Sequence, residues 1–150
     1  MSDPLGRREY EQFREAAATA RGRLVVRLIA EAGVRPAEQT RIRPGDVDRR
    51  RFDGAVHHFL SVRGSDGTTC RRTYLPAELA RLVDEYAATV GVAPDNRLID
   101  VTPRRVQMLV SEVASRAAEI TGESRLGNVS SDGLRRYFAR RLLVEDGVDP

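Results

Sequence analysis

The chain contains no lysine and no tryptophan, has a single cysteine, and spends only 5% of its 150 positions on aromatic side chains. Each shortage removes a class of function. With Cys70 alone, no intramolecular disulfide can form, and no cysteine cluster or spaced His/Cys set is present to hold zinc. The adjacent His57 and His58 would point to opposite faces of a strand, so no metal site and no cofactor are expected. Long hydrophobic runs are missing too. The longest, residues 24–29, is interrupted by Arg27 and falls far short of the roughly 18 to 20 apolar residues that cross a bilayer. Met1-Ser2-Asp3-Pro4 lacks the basic and apolar stretches of a secretory signal. No membrane partner and a cytoplasmic location are therefore expected.

What remains is a composition of 41% hydrophobic and 31% charged residues, which predicts one folded domain with a real core. All 25 basic residues are arginine, and the net charge is +3 with a pI near 9.6. A GC-rich coding sequence would account for the missing lysine. The positive balance is also the footprint of a nucleic-acid binder, because guanidinium forks match phosphate geometry.

Asp3 and Pro4 predict a helix over about 5–19, with Leu5, Tyr10, Phe13 and Ala17 inward. A core helix follows, carrying Leu24, Val25, Leu28, Ile29 and Ala32 and stopped by Gly33. Pro36 restarts a short helical turn, and Pro44-Gly45-Asp46 breaks the chain again. Between Val56 and Leu75 the pattern turns to β, with Gly64-Ser65-Asp66-Gly67 as the turn of a hairpin. Pro76 opens a helix with Leu79, Leu82, Val83, Tyr86 and Val90 on one face and Gly91 at its end. Thr102-Pro103 opens another with Val106, Leu109, Val110, Val113, Ala117 and Ile120, ended by Gly122. Ser130 or Ser131 caps the last, with Leu134, Phe138, Leu142 and Leu143 inward and a stop near Gly147. The fold class is mainly α with a small antiparallel β-hairpin or sheet.

Two stretches carry a resemblance. Gly33-Val34-Arg35-Pro36-Ala37-Glu38 is similar to the first motif box of the tyrosine recombinases, the phage-integrase family, and Arg43-Pro44-Gly45-Asp46-Val47-Asp48 then leads into the hairpin as in that family. Ser131-Asp132-Gly133-Leu134-Arg135-Arg136-Tyr137-Phe138-Ala139, with Leu142-Leu143 and Gly147-Val148-Asp149, resembles the second box, His-x-Leu-Arg-His-Thr-Phe-Ala. The likeness runs from about Leu24 to the last residue and implies a recombinase catalytic-domain fold. It also implies that Arg35 and Arg135 clamp a scissile phosphate by charge-assisted hydrogen bonds. Glu38, one turn beyond Arg35, would be the structural acid holding that arginine in place. The simpler alternatives are a solvated Arg35–Glu38 ion pair and an exposed Arg135.

Departures from the pattern bear on catalysis. The family's hairpin lysine acts as a general acid. Here Arg63, Arg71 and Arg72 occupy that region, and a guanidinium stays protonated, though it can still hold DNA. Asp132 stands at the second-box histidine, an anion that cannot donate to phosphate and partly neutralises Arg135. The third box and the nucleophilic tyrosine that follows it do not occur by residue 150. Tyr86 and Tyr137 are expected to be packing residues. Arg104, Arg105, Arg136 and Arg140 (with Arg141) are further candidate DNA contacts on the two C-terminal helices, or simply solvated faces.

The leading expectation is thus a non-catalytic module binding double-stranded DNA, a single truncated domain over 1–150 and the N-terminal part of a larger, archaeal regulator. Arg35 and Arg135 should converge on one anion. Two alternatives stay open: a fragment of an active site-specific recombinase whose nucleophile lies beyond residue 150, and a protein-interaction module on the same scaffold. Self-association, or completion by a further C-terminal region, belongs with them.

Overall fold

The helix α2, Ala20–Ala32, carries seven side chains with no exposed surface, from Leu24 to Ala32, and so is apolar nearly all round. In the computed structural model of the chain, which describes residues 4–144, this helix lies at the centre and packs against α1, α4, α5 and α6. Thr19 caps it by accepting from the Gly22 N–H at 3.0 Å, so that the helix begins at Ala20, four residues ahead of the start that the apolar spacing gives. Its one interior cation, Arg27, is held by Glu31 at 3.0 Å through both Nε and a terminal nitrogen, and the Tyr10 hydroxyl donates to the same carboxylate. Each large core side chain removed from water, such as Phe13 or Leu24, contributes about 1.5–3 kcal/mol.

Around α2 stand α1 (Arg7–Glu15), α3 (Pro36–Gln39), α4 (Ala77–Val90), α5 (Pro103–Thr121) and α6 (Ser131–Val144). The first helix is shorter than expected: Gly6 is its N-cap, Pro4 precedes it, and Ala17 is buried beyond its end. The proposed Asp3 cap and the Gly147-Val148-Asp149 stretch lie outside the described residues. Gly33, Gly91 and Gly122 take left-handed φ at the ends of α2, α4 and α5, as the stop signals require. Three stripe assignments fail, since Val90, Ile120 and Leu143 are 55%, 63% and 46% exposed. Val90 sits in the last turn of its helix and Ile120 next to the end of its own, beyond the reach of the core. Ser130 caps α6 through its hydroxyl, which accepts from Gly133 N–H at 3.2 Å.

The β region is a three-stranded antiparallel sheet in the order β1 (Val47–Phe52), β2 (Ala55–Arg63), β3 (Cys70–Leu75). The first strand goes beyond the expected hairpin. It is joined to β2 by Asp53-Gly54, both at positive φ (49° and 78°), the two-residue turn that matches strand twist. The second turn is pinned by Asp66, which accepts from the Thr68 and Thr69 N–H groups at 3.0 and 2.8 Å; these bonds, with the Thr69 hydroxyl, lower its pKa to about 2. Leu60, Val62 and Leu75 point into the core. Leu98 and Ile99, between α4 and α5, and Leu126, before α6, complete it from loops and a 3₁₀ turn.

Candidate nucleic-acid interface

Both motif boxes meet at Gly33. A Cβ there would stand 2.5 Å from the Phe138 ring, so the bare glycine, at φ +69°, lets α6 lie directly on the end of α2. Arg135 is one turn before Phe138 on α6, and Arg35 is two residues after Gly33. The packing therefore carries the two arginines toward each other. From the third side, β3 ties itself to the same helix end: the Thr73 hydroxyl donates to Ala32 C=O at 3.0 Å, and an Arg71 terminal nitrogen donates to Gly33 C=O at 3.1 Å. These are last-turn carbonyls that the helix leaves without internal partners.

Strand alternation decides which hairpin arginine takes part. Arg71 and Thr73 share the core-facing side of β3, whereas Arg72 points away. The Arg71 guanidinium forks onto Glu38, with contacts of 2.8 and 3.3 Å. Glu38 does not grip the Arg35 side chain in the way the motif spacing suggested. Its carboxylate instead accepts the Arg35 backbone N–H at 2.8 Å, capping α3 while it holds Arg71. Partial burial works to raise the Glu38 pKa, but the bonds from Arg71 and the Arg35 N–H, with the charges of both arginines, outweigh it and hold the carboxyl below its ordinary range.

Arg135 is different. Its Nε is buried and has no hydrogen-bond partner among the described residues. Burial, then the like charges of Arg35 and Arg71, press its pKa below the usual arginine value, partly offset by Glu38 and Asp132. The charges of Arg35 and Arg71 thus bear on Arg135, whose Nε is buried, with Glu38 already engaged by Arg71. Such an arrangement can accept an oxyanion, since a phosphate oxygen would satisfy the idle donor and relieve the mutual repulsion.

The other arginines are engaged elsewhere. Arg63 pairs with the buried Asp46 at 2.9 Å, which explains the Pro-Gly-Asp stretch: Asp46 also accepts the Arg43 N–H and so pins the approach to β1. Arg72 contacts Asp48 at 3.3 Å, and Arg105 bonds Glu112 at 3.2 Å, while Arg104 is exposed at the start of α5. Arg136 and Arg140 line a separate cavity of about 770 Å³ with Arg125, Asn128 and Tyr137. Arg71 is the member that sequence reasoning could not single out from Arg63 and Arg72. No group of three or more potential metal ligands occurs among the described residues, and no helix there is long and apolar enough to cross a membrane.

This arrangement of helices packed around α2, with a three-stranded sheet beside them, is the fold of the tyrosine recombinase catalytic domain. The chain superposes on XerA recombinase with a TM-score of 0.76 at 20% identity, over 99% of this chain and 52% of that one. It matches the XerH site-specific recombinase bound to difH substrate in a pre-cleavage complex with a TM-score of 0.72 at 20% identity, over 97% and 44%. A post-cleavage complex of XerH on palindromic difH gives 0.59 at 18%, over 97% and 52%. The chain spans about half the length of the recombinases it resembles. No family model matches it, and no curated protein does.

Proposed function

We propose that the chain is a non-catalytic DNA-binding module of the tyrosine recombinase family, forming one domain over residues 1–150 and holding the backbone of double-stranded DNA at Arg35, Arg71 and Arg135. The observation that carries this reading is the buried, unpartnered Nε of Arg135 beside two further guanidinium groups. A backbone phosphate offers two non-bridging oxygens to such a cluster, and charge-assisted N–H···O bonds are the strong class of hydrogen bond. Arg104, Arg105, Arg136 and Arg140, all exposed, would add weaker contacts at its margins. A cytoplasmic setting goes with a DNA partner.

The non-catalytic part of the reading rests on chemistry. Arg71, at the sheet position nearest the cluster, keeps its proton at any accessible pH and is a poor general acid toward a leaving oxygen. Asp132 brings a negative charge to the place where the family pattern has a donor. Tyr10, Tyr86 and Tyr137 are buried, and Tyr74 stands on the side of the sheet away from Arg71.

Fluorescence anisotropy of a labelled duplex tests it, at low and at moderate salt. Wild type should bind more weakly as salt rises, and Arg35→Ala/Arg135→Ala, still folded, should lose about tenfold or more in affinity and flatten the salt slope by roughly two. Equal binding by the two proteins would sink the proposal. A second reading, a part of an active recombinase, is favoured by the chain's spanning about half of its structural relatives. It predicts that the longer protein is trapped covalently on a nicked suicide substrate, and failure to trap it would refute that reading.

A further inference from the structure

The outward face of the sheet gathers side chains that the core does not use. Phe52 on β1, His57 and Phe59 on β2 and Tyr74 on β3 share that face, with Phe59 paired directly to Tyr74 across the strands. Their ring centroids are 5.8 to 6.4 Å apart in a closed circuit of four tilted or edge-on contacts, in which Phe52 and Tyr74 each meet both His57 and Phe59. Phe52 and Tyr74 are 50% and 52% exposed. In a chain with only eight Phe and Tyr residues, three stand together here, whereas Tyr10, Phe13, Tyr86 and Tyr137 are buried in the core. Exposed rings on a sheet leave apolar surface in water, and their grouping into one patch marks a contact surface.

Charge on the same face says which occupant. The Arg72 guanidinium lies 4.9 Å over the Phe59 ring, Arg50 stands beside it on β1, and Asp48 fixes both, at 3.0 Å to Arg50 and 3.3 Å to Arg72. Planar rings interleaved with arginine suit nucleotide bases, whose flat faces stack on aromatics while guanidinium groups track the phosphates.

We propose that this face is a stacking platform for unpaired DNA bases, with Phe52, His57, Phe59 and Tyr74 as the base-contacting rings and Arg50 and Arg72 on the phosphates. The stacking argument stands on the sheet alone. The choice of DNA over RNA rests on the function proposed above, since Arg71 reaches from the other side of the same sheet to the proposed phosphate site.

The test uses the full chain and labelled oligothymidine of about a dozen nucleotides, a length within the usual single-strand site sizes. Wild type should bind it at low salt. Phe52→Ala/Tyr74→Ala should weaken that binding about tenfold or more and leave duplex affinity within about twofold, while Arg35→Ala/Arg135→Ala should do the reverse, so that the two sites fail separately. Phe52→Ala alone, beside the Asp53-Gly54 turn, should cost about threefold and guards against a folding defect in the double variant, as does an unchanged thermal melt. No binding of oligothymidine, equal binding by wild type and the ring variants, or a parallel loss on duplex and single strand would overturn the proposal. Tighter binding of oligouridine than of oligothymidine would overturn its assignment to DNA.

Discussion

The first motif box and the second are built in opposite ways. Around Glu38 the network is dense: Glu38 takes the Arg35 N–H and the Arg71 fork, Arg71 also caps Gly33 C=O, and Thr73 caps Ala32 C=O, while the Arg35 side chain is exposed and the neighbouring Gln39 Oε1 is buried without a partner among the described residues. Around Arg135 the buried Nε–H has no partner among the described residues. A satisfied network rigidifies its surroundings, whereas a buried donor without an acceptor costs stability. The contrast separates a frame from a receptor, in which the hairpin and the α2 terminus hold geometry so that the α6 guanidinium can meet a charge from outside.

Breaking the frame should have the largest effect. Gly33→Ala places a Cβ against the Phe138 ring and forces a side chain into left-handed φ, so a loss of about 3 kcal/mol and weakened DNA binding are expected in denaturant unfolding and duplex titration. Glu38→Gln should cost about 1–2 kcal/mol by weakening the Arg71 fork and the α3 cap. The same variant sharpens the pH behaviour. The Glu38 pKa is depressed in the folded chain, so its stabilisation is complete above the ordinary value of 4.5 and is lost as pH falls through the lower folded value. Acid unfolding curves of the variant should be flatter than wild type in that window.

Changes at the receptor should dissociate stability from binding. Arg135→Met removes a desolvated cation facing two like charges, and a thermal melt should show a shift within about 1 kcal/mol of zero, or a gain, while duplex affinity falls tenfold or more. A loss of stability comparable to that of Glu38→Gln would make Arg135 part of the frame and erase the distinction. The smallest effect is expected of Asp132→Asn. Removing the anion three residues from Arg135 should strengthen duplex binding by about two- to fivefold at low salt, an advantage that fades as salt rises.

How much of this could be read beforehand depends on how local each determinant is. The helices α2, α4 and α5 were legible because apolar periodicity and a terminal glycine act within one segment. Strand β1 was not, since Val47-Asp48-Arg49-Arg50-Arg51-Phe52 reads as a polar loop. It is a strand because it lies at the sheet edge and pairs its backbone with β2, and Asp53-Gly54 was its local sign. Leu98, Ile99 and Leu126 are isolated apolar residues whose burial depends on the assembled core. At the site, the spacing of the two boxes singled out Arg35, Glu38 and Arg135. Choosing Arg71 over Arg63 and Arg72 required knowing which side of β3 faces α2, a matter of register that composition does not encode. The partner of Glu38 was misassigned for the same reason, because its strongest contact comes from 33 residues away.

The claim at the centre of this account is that Arg35, Arg71 and Arg135 together receive a DNA phosphate. The most direct measurement is the arginine Nε–H NMR spectrum during titration with a short duplex, assigned by single Arg→Lys variants. The account predicts that the three resonances move together and saturate at one concentration, with Arg135 shifting most as its idle donor gains an acceptor. Movement confined to Arg104, Arg105, Arg136 and Arg140, with Arg135 unchanged, would contradict it.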